Sequence, residues 1–383
     1  MRRSRTSAVI LAAGMSSRMG TAKQLLRLDD RPLLQHVLDN VRASLAADIV
    51  LVLGFEAEAI QREIEPQNVR IAINHNFHEG MGTSLKAGLA AVDSETEGAL
   101  IVLADQPLVR PATLDRLIAE HQAGKAQIVI PTYRGFRGNP VLLDRSIFSE
   151  VMNLGGDIGC RAIFGDHIEG IVKVPVDDVG ILLDVDQRSD LEALRASALK
   201  EKTLLETAQR GGGQVADSRT AQPELIVVGR DALARGLARL GQILRFVVTV
   251  VDPLLATADF PEADRVLHTL DFSLLGTSPD RHAVVASRGA CDEEAIEQAL
   301  DARCAYVALV ANRKRGEEVL HALRGKGIPP EELARVRVPA GLEICADTPE
   351  ETALAIMAQI ILERRKRGGM QAGRAPTVRS SAQ

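Results

Sequence analysis

The chain has 383 residues, 46% hydrophobic and 25% charged, with a formal net charge of −5. That length exceeds one ordinary core and predicts two globular domains. With 3% aromatics, no tryptophan and an acidic balance, the composition argues against a nucleic-acid surface, whether a stacking platform or a basic patch.

In chain order, the basic start Met1-Arg-Arg-Ser-Arg5 leads straight into a short apolar run at 8–12, which reads as a first strand and not a signal segment. Further strand-like runs fall at 49–53, 69–73, 99–103 and 128–130, alternating with helix-period stretches at 33–41, 85–92 and 114–121. Near-continuous apolar strands separated by helices predict a parallel sheet covered on both faces. A helix pattern at 191–205 closes this block, and Gln209-Arg-Gly-Gly-Gly-Gln214 with the polar residues after it reads as a flexible linker. A second strand–helix series follows at 225–228, 232–240, 246–251, 283–286, 293–300, 306–310, 315–324 and 349–363. From Arg364 the chain is basic, rich in Gly and Ser and without apolar period, which predicts a disordered tail. The expected fold class is α/β: two doubly wound, mostly parallel-sheet, Rossmann-like domains, 1–206 and 224–363, joined by a linker at 207–223 and followed by a tail at 364–383. No run is long enough to span a membrane. Cys160, Cys291, Cys304 and Cys345 form no C-x-x-C pair, so a reduced, cytoplasmic setting is expected.

The segment Ser7-Ala-Val-Ile-Leu-Ala-Ala-Gly-Met-Ser-Ser-Arg-Met-Gly-Thr-Ala-Lys23 carries the most chemistry. Small residues at Gly14, Ser16, Ser17 and Gly20 let backbone N–H groups approach a bulky anion, and Arg18 and Lys23 supply the positive charge a triphosphate needs. Three more stations are expected at strand ends, where open α/β sheets bind ligands. Asn74-His-Asn-Phe-His-Glu-Gly-Met-Gly-Thr-Ser84 offers Gly82 and Ser84 for close approach. Leu103-Ala-Asp-Gln-Pro107 places Asp105 just past a strand, and Leu183-Asp-Val-Asp186 supplies Asp184 and Asp186. A carboxylate pair facing a triphosphate suits Mg²⁺, a hard ion that takes one or two carboxylates plus phosphate oxygens; Asp184 and Asp186 also read as caps for the helix that follows. His75 and His78 lack a third ligand at metal spacing and read as surface-loop residues, and Cys160 as a small packed residue.

The run Leu11-Ala-Ala-Gly-Met-Ser-Ser-Arg-Met-Gly20 with Lys23, together with Ala104-Asp-Gln-Pro107, Arg137-Gly-Asn-Pro140 and Asp184-Val-Asp186, resembles the MobA-like nucleotidyltransferases over about residues 7–200. Within them it is most similar to the molybdenum cofactor cytidylyltransferases. The resemblance implies that Leu11, Ala12, Ala13, Gly14, Ser16, Ser17, Gly82 and Ser84 bind the nucleotide, and that Ala13 marks the CTP form of the loop. It further implies that Asp105 binds Mg²⁺, and that Arg18 and Lys23 hold the β- and γ-phosphates. The implied reaction is attack by the phosphate of molybdopterin on CTP with release of pyrophosphate. Gly155-Gly-Asp-Ile-Gly-Cys-Arg161 resembles the family's acceptor-side loop and offers Asp157 and Arg161, with Asn139 nearby; turn chemistry is the other reading for these residues.

In the second block, Glu224-Leu-Ile-Val-Val-Gly-Arg-Asp231 stands where a Rossmann fingerprint belongs, and Asp252 stands where a ribose-binding acid would. Asp231 replaces the second glycine of that fingerprint, which counts against NAD or FAD, since its carboxylate would repel a pyrophosphate. Residues 224–362 resemble the C-terminal Rossmann domain of the XdhC/CoxI maturation factors through Phe260-Pro-Glu-Ala-Asp264, Ser287-Arg-Gly-Ala-Cys-Asp-Glu-Glu294 and Gly341-Leu-Glu-Ile-Cys-Ala-Asp-Thr-Pro-Glu-Glu351. Two uses remain for its crevice around Gly229 and Asp252, a ligand site or a docking surface. The combined resemblance implies a protein that cytidylates molybdopterin and helps pass the product to an apo molybdenum hydroxylase of the xanthine or CO dehydrogenase type. Alternatives are a sugar or polyol phosphate as acceptor, or a non-catalytic cofactor carrier or chaperone.

Overall fold

The computed structural model describes residues 5–14, 22–124, 126–153, 159–164, 166–185, 222–255 and 260–367. The expected helix at 191–205, most of the linker and the tail beyond 367 lie outside these residues. The chain divides into two compact units, Met1–Asp217 and Ser218–Gln383.

The first unit is built on an eight-stranded sheet. Its strands are β1 (Thr6–Ala12), β4 (Asp48–Leu53), β5 (Arg70–Ile73), β6 (Gly98–Leu103), β7 (Ile128–Tyr133), β8 (Phe136–Arg137), β9 (Val141–Asp144) and β10 (Ile171–Pro175). They run in the order β10-β7-β9-β6-β1-β4-β5, with β8 paired to β7, while a separate small hairpin joins β2 (Arg27–Leu28) to β3 (Arg31–Pro32). The helices are α1 (Leu33–Arg42), α2 (Ala57–Glu63), α3 (Met81–Ala91), α4 (Pro111–Gln122) and α5 (Phe148–Asn153).

The apolar strand runs are continuous because both faces of the sheet are covered. Ala8, Ile10, Leu51, Leu53, Leu100 and Val102 enter one core with residues of α1 and α4. Their alternates Val9, Val50, Val52, Ala99 and Ile101 enter a second core with residues of α3 and α5. Period-two side chains thus alternate between two interiors. Each buried Val, Leu or Ile contributes about 1.5–3 kcal/mol. The sheet is mostly parallel, as expected, but β9 runs antiparallel to both β6 and β7. That inserted strand carries the 136–140 hairpin toward the carboxyl end of β6.

The second unit has a six-stranded sheet, entirely parallel, in the order β13 (Arg265–Leu267), β12 (Val247–Val251), β11 (Glu224–Val228), β14 (Arg281–Val285), β15 (Tyr306–Leu309), β16 (Val336–Arg337). The order reverses between β11 and β14, which creates a switch-point crevice at their carboxyl ends. Its helices are α6 (Ala232–Ile243), α7 (Asp292–Asp301), α8 (Arg313–Gly325), α9 (Pro330–Leu333) and α10 (Pro349–Arg367). The tail is expected from Arg364, but α10 continues through Arg367. The Arg364 guanidinium is held by Asp280 at 2.7 Å and lies over the Phe246 ring, so a basic residue without apolar period still completes the helix. No described helix is long and apolar enough to cross a membrane.

Candidate functional site

The end of β1 is tied down before it reaches open space. Ala12 and Ala13 are buried and Leu11 half-buried, so contacts from 12 and 13 would come from their backbone; Gly14 is exposed. Gln24, on the turn Lys23–Leu25, is buried and donates from Nε2 to the Ala12 carbonyl at 2.9 Å and to that of Gly14 at 3.4 Å. This clamp holds the two sides of the glycine-rich segment together. Ser16, Ser17 and Arg18 lie outside the described residues.

Lys23 follows, and its Nζ stands 2.5 Å from Oδ2 of Asp105, just past β6. Asp105 keeps its side chain 17% exposed, but Oδ1 is buried and has no hydrogen-bond partner among the described residues. A carboxylate oxygen left so is costly unless something occupies it. Asp184 does not follow a strand directly, as expected from the sequence. It follows a 3-10 turn, Val179–Leu182, after β10. It reaches the end of β6 through two bonds: the Val185 amide donates to the Asp105 carbonyl at 2.9 Å, and Gln106 Nε2 donates to Asp184 Oδ1 at 2.6 Å. Asp186 lies outside the described residues.

The other stations are more structural than the sequence suggested. Gly82 and Ser84 sit in the first turn of α3, both buried. The Ser84 hydroxyl accepts from Asn74 Nδ2 at 2.9 Å, and Asn74 also donates to Thr83, so the expected nucleotide-facing hydroxyl is engaged in joining β5 to α3. Asn139 is half-buried and its amide donates to the Ile181 carbonyl at 3.0 Å; Gly138 has no room for a side chain, since a Cβ there would lie 2.4 Å from that oxygen. Here turn chemistry explains the motif. Arg161 belongs to the 3-10 turn Cys160–Ile163, and Asp157 lies outside the described residues. His75 and His78 are exposed, and no group of three or more metal-ligating side chains occurs among the described residues. Oxygen donors at Asp105 and Asp184, one of them orphaned, fit a hard divalent ion that relies on substrate phosphates for its remaining ligands.

In the second unit, a cavity of about 360 Å³ lies at the switch point, lined in part by Asp231, Ala286, Arg288, Asp347, Thr348 and Thr352. Gly229 has φ of +130°, and a Cβ there would meet the Ala286 carbonyl at 2.5 Å, so this glycine serves strand-end packing. Asp231 caps α6 through the Ala234 amide at 2.9 Å and pairs with Arg288 Nε at 2.9 Å. Across the crevice the start of α10 closes differently: the Thr348 hydroxyl accepts from the Glu351 amide, and Glu351 accepts in return from the amides of Asp347 and Thr348. Each helix start therefore carries a carboxylate of the chain's own, where an anion would otherwise be attracted. Asp252 is buried at the end of β12; desolvation holds its pKa above the ordinary carboxylate value despite Arg230 at 3.7 Å.

Two residues carry local order that sequence reasoning missed. Gln24 and Gln106 are each buried at 2% exposure. Gln106 sits in a motif already singled out and Gln24 just past one, but their roles depend on which carbonyl or carboxylate the fold brings beside them.

Known proteins resemble the two units separately. The model of the MobA-like NTP transferase domain matches residues 8–171, and that of the XdhC Rossmann domain matches residues 225–360. The chain is 32% identical over 162 residues to nicotine blue oxidoreductase of Paenarthrobacter nicotinovorans, covering 40% of this chain and 78% of that protein. It is 26% identical over 185 residues to molybdenum cofactor cytidylyltransferase of Escherichia coli, covering 48% of this chain and 91% of that protein. A match to the uncharacterized protein YqeB of Escherichia coli, 29% identical over 147 residues, covers 37% of this chain but only 27% of that protein. The chain belongs to the MobA-like NTP transferase family, a nucleotidyltransferase domain followed by an XdhC Rossmann domain.

Proposed function

We propose that the first unit transfers a cytidylyl group from CTP to the terminal phosphate of molybdopterin, forming the cytosine dinucleotide and releasing pyrophosphate. One observation carries this reading: Asp105 holds one oxygen on Lys23 and leaves the other buried and without a partner among the described residues, while a second carboxylate, Asp184, is bound by the adjoining Gln106. Asp105 and Asp184 would hold Mg²⁺, which when bound neutralises phosphate charge as the α–β anhydride breaks. The acceptor phosphate is already an anionic oxygen, so no general base is required. Catalysis is positioning plus charge neutralisation. Lys23 sits within reach of the same carboxylate and supplies a cation for the leaving pyrophosphate, with Arg18 as its expected companion. Ala13 supports CTP over GTP through the Leu-Ala-Ala-Gly form of the loop.

The second unit, in this reading, assists delivery of the product to an apo molybdenum hydroxylase. Its self-capped helix ends favour a docking role over NAD or FAD binding. A covalent tether raises the local concentration of one unit at the other. The test is pyrophosphate release from full-length protein with Mg²⁺, molybdopterin and either CTP or GTP. Parallel arms use a sugar phosphate as acceptor, and NADH or NADPH oxidation, because a 32% identical relative is named an oxidoreductase. Release only with CTP and molybdopterin supports the proposal; release only with a sugar phosphate, or pyridine nucleotide oxidation alone, overturns it.

A further inference from the structure

We infer that Gln106 is a positioning residue that sets Asp184 against Asp105 and ties both to the acceptor-side hairpin, and this rests on the nucleotidyltransferase reading above. The Gln106 side chain is 2% exposed. Its Nε2 donates to two acceptors, Asp184 Oδ1 at 2.6 Å and the Ile181 carbonyl at 3.3 Å. The Ile181 carbonyl also accepts from the Asn139 backbone amide at 3.0 Å and leaves no room for a Cβ on Gly138. One amide group thus touches the carboxylate expected at the metal and the turn that seats the 136–140 hairpin.

That turn is fixed independently. Asp178, buried at its start, accepts from the amides of Gly180 and Arg110 and from the Thr113 hydroxyl. The turn therefore does not need Gln106 to form. What Gln106 adds is a buried donor on Oδ1 of Asp184, a residue that is itself exposed. A short, charge-assisted bond from a buried donor holds a carboxylate more firmly than solvent does. The Gln106 Oε1 is buried and has no partner among the described residues, so the Nε2 group makes the side chain's hydrogen bonds there.

The experiment uses full-length protein and Mn²⁺ as the probe, titrated by electron paramagnetic resonance in the presence of CTP without acceptor. Gln106→Met keeps the volume and removes the donor. Its Mn²⁺ dissociation constant should rise by about tenfold to 100-fold, the range for loss of an outer partner of a metal ligand. CTP affinity measured in EDTA should stay within about twofold, and the melting temperature should hold, whereas a merely structural role would move all three together. In an Asp184→Ala background the same change should have no further effect on Mn²⁺. If Gln106→Met does not fold, Gln106→Asn carries the test, because its amide is drawn back by one methylene from Asp184 and the same loss is expected. Unchanged Mn²⁺ affinity in a folded variant, or full additivity with Asp184→Ala, overturns the inference. Wild-type protein that binds no Mn²⁺ with CTP refutes the nucleotidyltransferase reading itself and takes this inference with it, an outcome visible before any variant is made.

Discussion

The two units end their central strands in opposite ways. In the first, Asp105 stands past β6 with one carboxylate oxygen unpartnered among the described residues and the other on a lysine. In the second, Asp231 stands past β11 with one oxygen capping a helix and the other on Arg288. Both sheets are doubly wound, a topology that places ligands beyond the carboxyl ends of its strands. What differs is whether the acid there is left available or closed upon the chain itself. A shared fold class therefore says where a ligand could sit, and only the local polar bookkeeping says whether one is invited.

The sharpest way to break this comparison is Asp105→Ala. Transfer should fall by at least about 1000-fold, near 4 kcal/mol of transition-state stabilisation, with the melting temperature unchanged. Pyrophosphate release within about tenfold of wild type would remove Asp105 from the metal site.

Charges in the second unit should show the reverse pattern, with stability lost and transfer kept. Arg281 is 1% exposed and holds Glu224 at 2.7 Å together with the carbonyls of Leu275 and Gly276. Arg281→Met strands the carboxylate and should cost about 3–5 kcal/mol in urea unfolding of that unit. A loss below about 1 kcal/mol would mean that water replaces the arginine freely.

His282 sharpens the same contrast through pH. It is fully buried between Phe246 and Tyr306, and its Nε2 is 3.4 Å from Asp280 without a hydrogen bond. Desolvation lowers its pKa to about 4 from 6.5, with Asp280 opposing and Arg364 and Arg367 adding. Above pH 6.5 both folded and unfolded forms are neutral at this residue. Below it the unfolded chain takes a proton that the folded form refuses until about pH 4. Stability of the second unit should therefore fall as pH drops through that window, by about 3 kcal/mol in all. Urea unfolding of wild type and His282→Leu at pH 7 and pH 4.5 checks this, and equal acid losses in the two would discard the assignment.

The smallest effect is expected at Asp231→Ala, which loses a helix cap worth about 1 kcal/mol. It also frees the start of α6 for an anion, so calorimetry should detect NAD binding that wild type lacks. Binding in wild type would sink the view that the crevice is closed by its own acid.

Much of this was legible in the residues. Strands 8–12, 49–53 and 99–103 announced themselves because they are buried on both faces, and a side chain of either parity must be apolar. The β9 strand was not legible: Val141-Leu-Leu-Asp144 is four residues long and follows a proline, and nothing local says it runs backwards between β6 and β7. At the site, Asp105 and Lys23 could be named from their motifs, yet their pairing joins positions 82 residues apart. Gln106 and Asp184 are 78 apart, so the part played by the glutamine is a property of the fold and not of its neighbours in sequence. Ser84 has a second part the motif did not show: its hydroxyl accepts from Asn74 and so helps join β5 to α3.

The pairing of Lys23 with Asp105 has a consequence for how the first unit is loaded. Asp105 already carries a counter-ion on Oδ2, so in the proposed reading a divalent ion would be held through the remaining oxygen while the lysine shared its charge with the polyphosphate. Free magnesium alone would meet the field of that resident cation and gain no phosphate in return. Loading should therefore be concerted, with nucleotide and metal each binding more tightly in the other's company than alone.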